Sequence, residues 1–78
     1  MRDIVILGST GSIGVQALEV IAANPGRFRV VGLSAGSKNV ERLAQQARTF
    51  NVPLVGTTGD GKSLRELLPG VEIGRAHV

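Results

Sequence analysis

The chain has 78 residues, 42% of them hydrophobic and 19% charged, with a net charge of +3 and no cysteine. That composition fits one small globular domain and excludes disulfides and thiolate metal sites. With only 3% aromatic residues and scattered basic ones, it also argues against nucleic acid as a partner. No apolar run approaches membrane-spanning length. Because the chain enters a strand at once, no leader segment is expected, and the want of cysteine permits a reducing cytoplasm, the setting expected for it.

Residues 4–7, Ile-Val-Ile-Leu, form a continuous apolar run, the pattern of a parallel strand buried on both faces. A glycine-spaced turn follows, Gly8-Ser9-Thr10-Gly11-Ser12-Ile13-Gly14. After it, Ile13, Ala17, Val20 and Ile21 fall at helical spacing until Asn24-Pro25-Gly26 stops the helix. Residues 28–33 read as a second strand, which completes one right-handed βαβ unit. Ser34–Asn39 is a polar loop in which Asn39 is the expected N-cap of a second helix. That helix carries Val40, Leu43, Ala44 and Ala47 and ends near Phe50. A short third strand is expected around Pro53-Leu54-Val55. Ser63 and Glu66 have capping-box spacing for a last helix, closed by Pro69-Gly70. The fold class is therefore α/β, a Rossmann-like parallel sheet with flanking helices, and it amounts to a truncated half of a dinucleotide-binding domain.

The order strand, glycine turn, helix suits phosphate binding. Gly8 allows the tight turn, Gly11 the close approach of backbone to a pyrophosphate, and Gly14 the packing of helix on strand. Dinucleotide folds selective for NAD carry an acid on the second strand to accept the ribose hydroxyls. Here no acid lies between Glu19 and Glu41, and the strand instead leads to Ser37, Lys38 and Asn39. A cation with small donors suits a 2′-phosphate, so the expected cofactor is NADPH. A competing reading comes from residues 56–63, Gly-Thr-Thr-Gly-Asp-Gly-Lys-Ser, which fit the P-loop pattern. The alternative function is thus a small P-loop nucleotide-binding protein. Against it stand the short, proline-started strand before the loop and the want of a later strand ending in Asp to hold magnesium.

Across roughly residues 3–55 the chain resembles the N-terminus of the 1-deoxy-D-xylulose 5-phosphate reductoisomerase family. The resemblance rests on Ile6-Leu7-Gly8-Ser9-Thr10-Gly11-Ser12-Ile13-Gly14, on Asn24-Pro25, on Phe28-Arg29-Val30-Val31-Gly32-Leu33, and on Ala35-Gly36 with Asn39. It implies an oxidoreductase that uses NADPH and a divalent metal, Mg2+ or Mn2+. Such an enzyme converts the xylulose phosphate to 2-C-methyl-D-erythritol 4-phosphate in the methylerythritol phosphate route to isoprenoids. The resemblance places the cofactor turn on Thr10, Gly11, Ser12 and Ile13. It places the 2′-phosphate loop on Gly36, Lys38 and Asn39, with Ser37 as an extra residue within that loop. It also implies a homodimeric parent whose metal site, substrate phosphate site and lid all lie outside these 78 residues. No catalytic or metal-binding residue is therefore assigned here, and the chain alone is expected to be inactive.

Residues 72–78 show no hydrophobic period, and one back-translation of them reads as a common short-read sequencing adapter. The expected division is a truncated NADPH-binding domain over 1–71 and a non-native tail over 72–78. His77, the one histidine, falls in that tail and receives no role.

Overall fold

The computed structural model describes residues 1–58 and 61–75, without the side chains of Ser37 and Arg75. Four strands, β1 (Arg2–Leu7), β2 (Phe28–Ala35), β3 (Leu54–Thr57) and β4 (Glu72–Arg75), alternate with three helices, α1 (Ser12–Ala22), α2 (Val40–Phe50) and α3 (Lys62–Leu67). A single 3-10 turn, Ser37–Asn39, leads into α2. All strand pairs are parallel and the sheet order is β1-β2-β3-β4, so space follows sequence. Right-handed crossovers between successive neighbours put every connecting helix on the same face of the sheet. The core agrees. One hydrophobic cluster joins Leu18 of α1, Leu43, Ala44 and Ala47 of α2, and Leu64 of α3 to Ile6, Val30, Leu33 and Val55 of the strands.

That one-sidedness corrects the reading of the first strand as buried on both faces. Ile6 is buried, but Val5 and Leu7 are 61% and 78% exposed because no helix covers their face of the sheet. The first helix is rotated from its expected face for the same reason. Gly14 and Leu18 are buried, with Ala17 and Ile21 packed beside them, whereas Ile13 and Val20 face solvent.

In β2 the alternation of faces is broken once. Ile4 pairs with Val30 but Val5 pairs with Gly32, so the ladder passes over Val31 as a bulge. Both Val30 and Leu33 consequently reach the helix side, three residues apart rather than two. Helix α2 fits its sequence pattern, ending in Asn51 at a left-handed φ of 52° whose N–H bonds back to Ala47 and Arg48. Two expected caps do not form. Asn39 occupies the N-cap position of α2 without a side-chain cap bond. Gly61 caps α3, which leaves Ser63 inside the helix rather than before it.

Within the stretch 72–78, Glu72–Arg75 pairs with β3 from Leu54 to Thr57 as a fourth strand. An edge strand is held by backbone hydrogen bonds, and Ile73 packs against the core. Four residues are too few to show a strand period. Residues 76–78, including His77, lie outside the described residues.

Candidate dinucleotide-binding site

The glycine turn grows directly out of the sheet. Leu7 is in register with Ser34, and the Ser34 carbonyl then accepts two further N–H groups, from Gly8 at 2.8 Å and Ser9 at 2.9 Å. Gly8 takes a φ of +71°, open to glycine at little steric cost. The Gly11 N–H closes a β-turn on the Gly8 carbonyl at 3.1 Å, and the Val15 N–H returns to the Gly11 carbonyl at 2.9 Å to start α1. Among the described residues, the N–H groups of Thr10, Ser12 and Ile13 find no acceptor. They lie in the turn and first turn of an 11-residue helix that has no acidic residue in that first turn. Free donors and the positive end of the helix dipole together favour an anion there.

Ser9 lies beneath this mouth, 0% exposed, and its Oγ has no hydrogen-bond partner. Its carbonyl is held from another element: Gln46 of α2 donates Nε2–H to the Ser9 oxygen at 2.9 Å.

The second loop leaves the neighbouring strand. β2 ends at Ala35, and extended Gly36 (φ −69°, ψ 166°) opens the 3-10 turn that contains Lys38. Lys38 and Asn39 are exposed, and Asn39 spends no side-chain bond on capping α2. Together with Val40, Glu41, Arg42 and Ser63 they line a cleft of about 490 Å³, so one acid stands beside its two cations. Thr58, just past β3, would lie 3.9 Å through its Oγ1 from a Cβ at position 36.

The sequence-predicted residues thus fall in two groups at the carboxyl ends of adjacent parallel strands, where open α/β sheets bind ligands. Thr10, Gly11, Ser12 and Ile13 form the α1 mouth. Ile13, 82% exposed, presents an apolar surface beside it. Gly36, Lys38 and Asn39 form the second group, and the Ser37 side chain lies outside the described residues. Sequence reasoning missed Arg42, Ser63 and Gln46. Arg42 had a signal, since it lies in the first turn of the helix that follows the Lys38 loop. Gln46 had none, because its partner is 37 residues away. In the P-loop-like segment, Gly59 and Asp60 lie outside the described residues, and the helix behind it has only six residues. Among the described residues, no group of acids or histidines could hold a metal ion.

The model of the family "1-deoxy-D-xylulose 5-phosphate reductoisomerase" matches residues 4–75, and the P-loop alternative finds no support. A protein of that name from Trichlorobacter lovleyi is 53% identical over 75 residues, covering 94% of this chain and 19% of the relative. One from Beutenbergia cavernae is 63% identical over 54 residues, covering 69% and 14%. Among solved structures, the reductoisomerase of Zymomonas mobilis in complex with NADPH superimposes with a TM-score of 0.87 at 33% identity, covering 96% of this chain and 21% of that one. A reductoisomerase in complex with NADPH, fosmidomycin and magnesium gives 0.84 at 27% identity, covering 97% and 20%. The chain therefore spans about a fifth or less of the length of these relatives. With the family match running from the first strand through the last, the chain belongs to the 1-deoxy-D-xylulose 5-phosphate reductoisomerase family.

Proposed function

We propose that this chain is the NADPH-binding part of a 1-deoxy-D-xylulose 5-phosphate reductoisomerase. Thr10, Gly11, Ser12 and Ile13 receive the pyrophosphate, and Gly36, Ser37, Lys38 and Asn39 receive the 2′-phosphate. The observation that carries this reading is the pair of loops tied together at Ser34, one with free N–H donors and one whose Lys38 shares its cleft with Arg42 and Glu41. When bound, NADPH supplies a hydride. The chain's own residues bind and orient: the α1 mouth offers backbone donors to a diphosphate, and Lys38 with Arg42 neutralises a phosphate in the lateral cleft.

The parent's reaction, reduction and rearrangement of the xylulose phosphate, needs substrate and a divalent metal (Mg2+ or Mn2+) held beside the nicotinamide. In this reading turnover belongs to the longer protein, a cytoplasmic homodimer. The test is a titration of this chain with NADPH, NADH and Mg-ATP. NADPH should bind tightest, and Lys38→Ala should weaken NADPH while leaving NADH unchanged. Preference for Mg-ATP, or equal loss for both dinucleotides, would overturn the assignment.

A further inference from the structure

Gln46 lies in the second turn of α2, far in sequence from the glycine loop, yet its side-chain amide donates to the Ser9 carbonyl. That carbonyl belongs to the Ser9–Thr10 peptide, the central peptide of the β-turn closed by Gly11 on Gly8. Orientation of the central peptide is the main freedom of such a turn. Flipping it would require a positive φ at Thr10, costly for a β-branched residue, and Thr10 does not adopt one. In a trans peptide the C=O and the following N–H point in opposite directions, and no cis bond is present among the described residues. Anchoring the Ser9 oxygen toward α2 therefore turns the Thr10 N–H away from α2. The contact is partly buried, and the other amide atom, Gln46 Oε1, is buried without a partner. A buried amide with an unmet acceptor is a costly way to fill space, which sets this side chain apart from ordinary packing.

The same helix starts immediately after Asn39. One hydrogen bond thus ties the α1 mouth to the helix that carries the second loop.

We propose that Gln46 is a positioning residue. By holding the Ser9 carbonyl it aims the Thr10 N–H at the cofactor's diphosphate, and it keeps this turn in register with the loop Gly36–Asn39. The inference rests on the NADPH reading of the site. It differs from that reading in its signature. Lys38 serves the 2′-phosphate and so discriminates between the two dinucleotides. Gln46 serves the diphosphate, which NADPH and NADH share.

The test uses the chain itself with two variants, Gln46→Met, which keeps length and loses the donor, and Gln46→Glu, which loses the donor when ionised and regains one when protonated. Dissociation constants for NADPH and NADH are measured below each variant's thermal midpoint, with amide NMR spectra of the unliganded proteins. Gln46→Met should weaken both dinucleotides by the same factor, about five- to tenfold, the effect of one lost hydrogen bond. It should shift the Thr10 and Gly11 amide resonances while those of Leu33 and Val55 stay in place. Gln46→Glu should recover affinity relative to the parent chain as pH falls through the carboxyl titration. Unchanged affinity for both dinucleotides in Gln46→Met, or shifts spread across the whole sheet, would overturn the positioning role and leave the cofactor reading intact. Failure of the unaltered chain to bind NADPH would overturn both.

Discussion

A Cβ at position 14 would lie 2.6 Å from the Cα of Ser9, so helix α1 and the glycine turn touch backbone to backbone. The obstructing atoms are main chain and cannot rotate aside. Gly14→Ala should therefore destabilise the fold by about 1–3 kcal/mol, in the range of other overpacked sites, despite the better helix propensity of alanine. Gly74 provides the control. It has a clear volume around it and no positive φ, and Gly74→Ala should be neutral or slightly stabilising. Urea unfolding of the two variants against the parent chain distinguishes these outcomes.

Asn51 ends α2 in the left-handed region at a φ of 52°. Asparagine tolerates that conformation better than most side chains, and glycine better still. Asn51→Gly should raise stability by a few tenths of a kcal/mol, and Asn51→Ala should lower it by about 1 kcal/mol. Thermal melts of both, read in opposite directions from the parent, check the pair.

Asp3 and Arg29 face each other across β1 and β2, with the guanidinium Nη2 2.9 Å from Oδ1. Both side chains are more than half exposed, at 54% and 63%. Solvent and salt screen such a pair, so Arg29→Ala should cost no more than about 0.5 kcal/mol. A double-mutant cycle with Asp3→Ala should show a coupling that vanishes in 1 M salt.

The bare face of the sheet carries Val5, Leu7 and Leu54, all exposed, beside an unpaired β1 edge. All-parallel sheets are ordinarily covered on both sides, and an uncovered apolar edge invites association. Leu7→Lys with Val5→Thr should reduce concentration-dependent self-association in sedimentation velocity. Neither side chain belongs to the core cluster, so the unfolding midpoint should move little.

Much of this was legible in the sequence. Apolar runs, helical spacing and the glycine turn placed the first three strands and the first two helices near their observed positions, and they marked both candidate loops. Misreadings came where a tertiary fact intervened. Ile4–Leu7 reads as doubly buried because it is apolar throughout, but burial depends on which side the crossovers put the helices. Ile13 and Val20 fit a helical stripe that the sheet does not meet. The bulge at Val31 shifts a face without leaving a mark in the pattern, and Ser63 has capping-box spacing two residues too late to cap. Gln46 could not be found at all, since a side chain to main chain bond over 37 positions leaves no local trace.

The strand order has a kinetic consequence. Each strand pairs with its neighbour in sequence, so every pairing closes only one crossover loop and none waits for a distant segment. Each pairing still spans a whole strand–helix–strand unit, and parallel pairing over such a span forms more slowly than the helices themselves. During synthesis, β2 can settle on β1 as soon as α1 has formed, and each later βα unit can add to a surface already made. The cofactor mouth draws on the first turn, the end of the second strand and, through Gln46, the helix after it, so it belongs to the first two of these units.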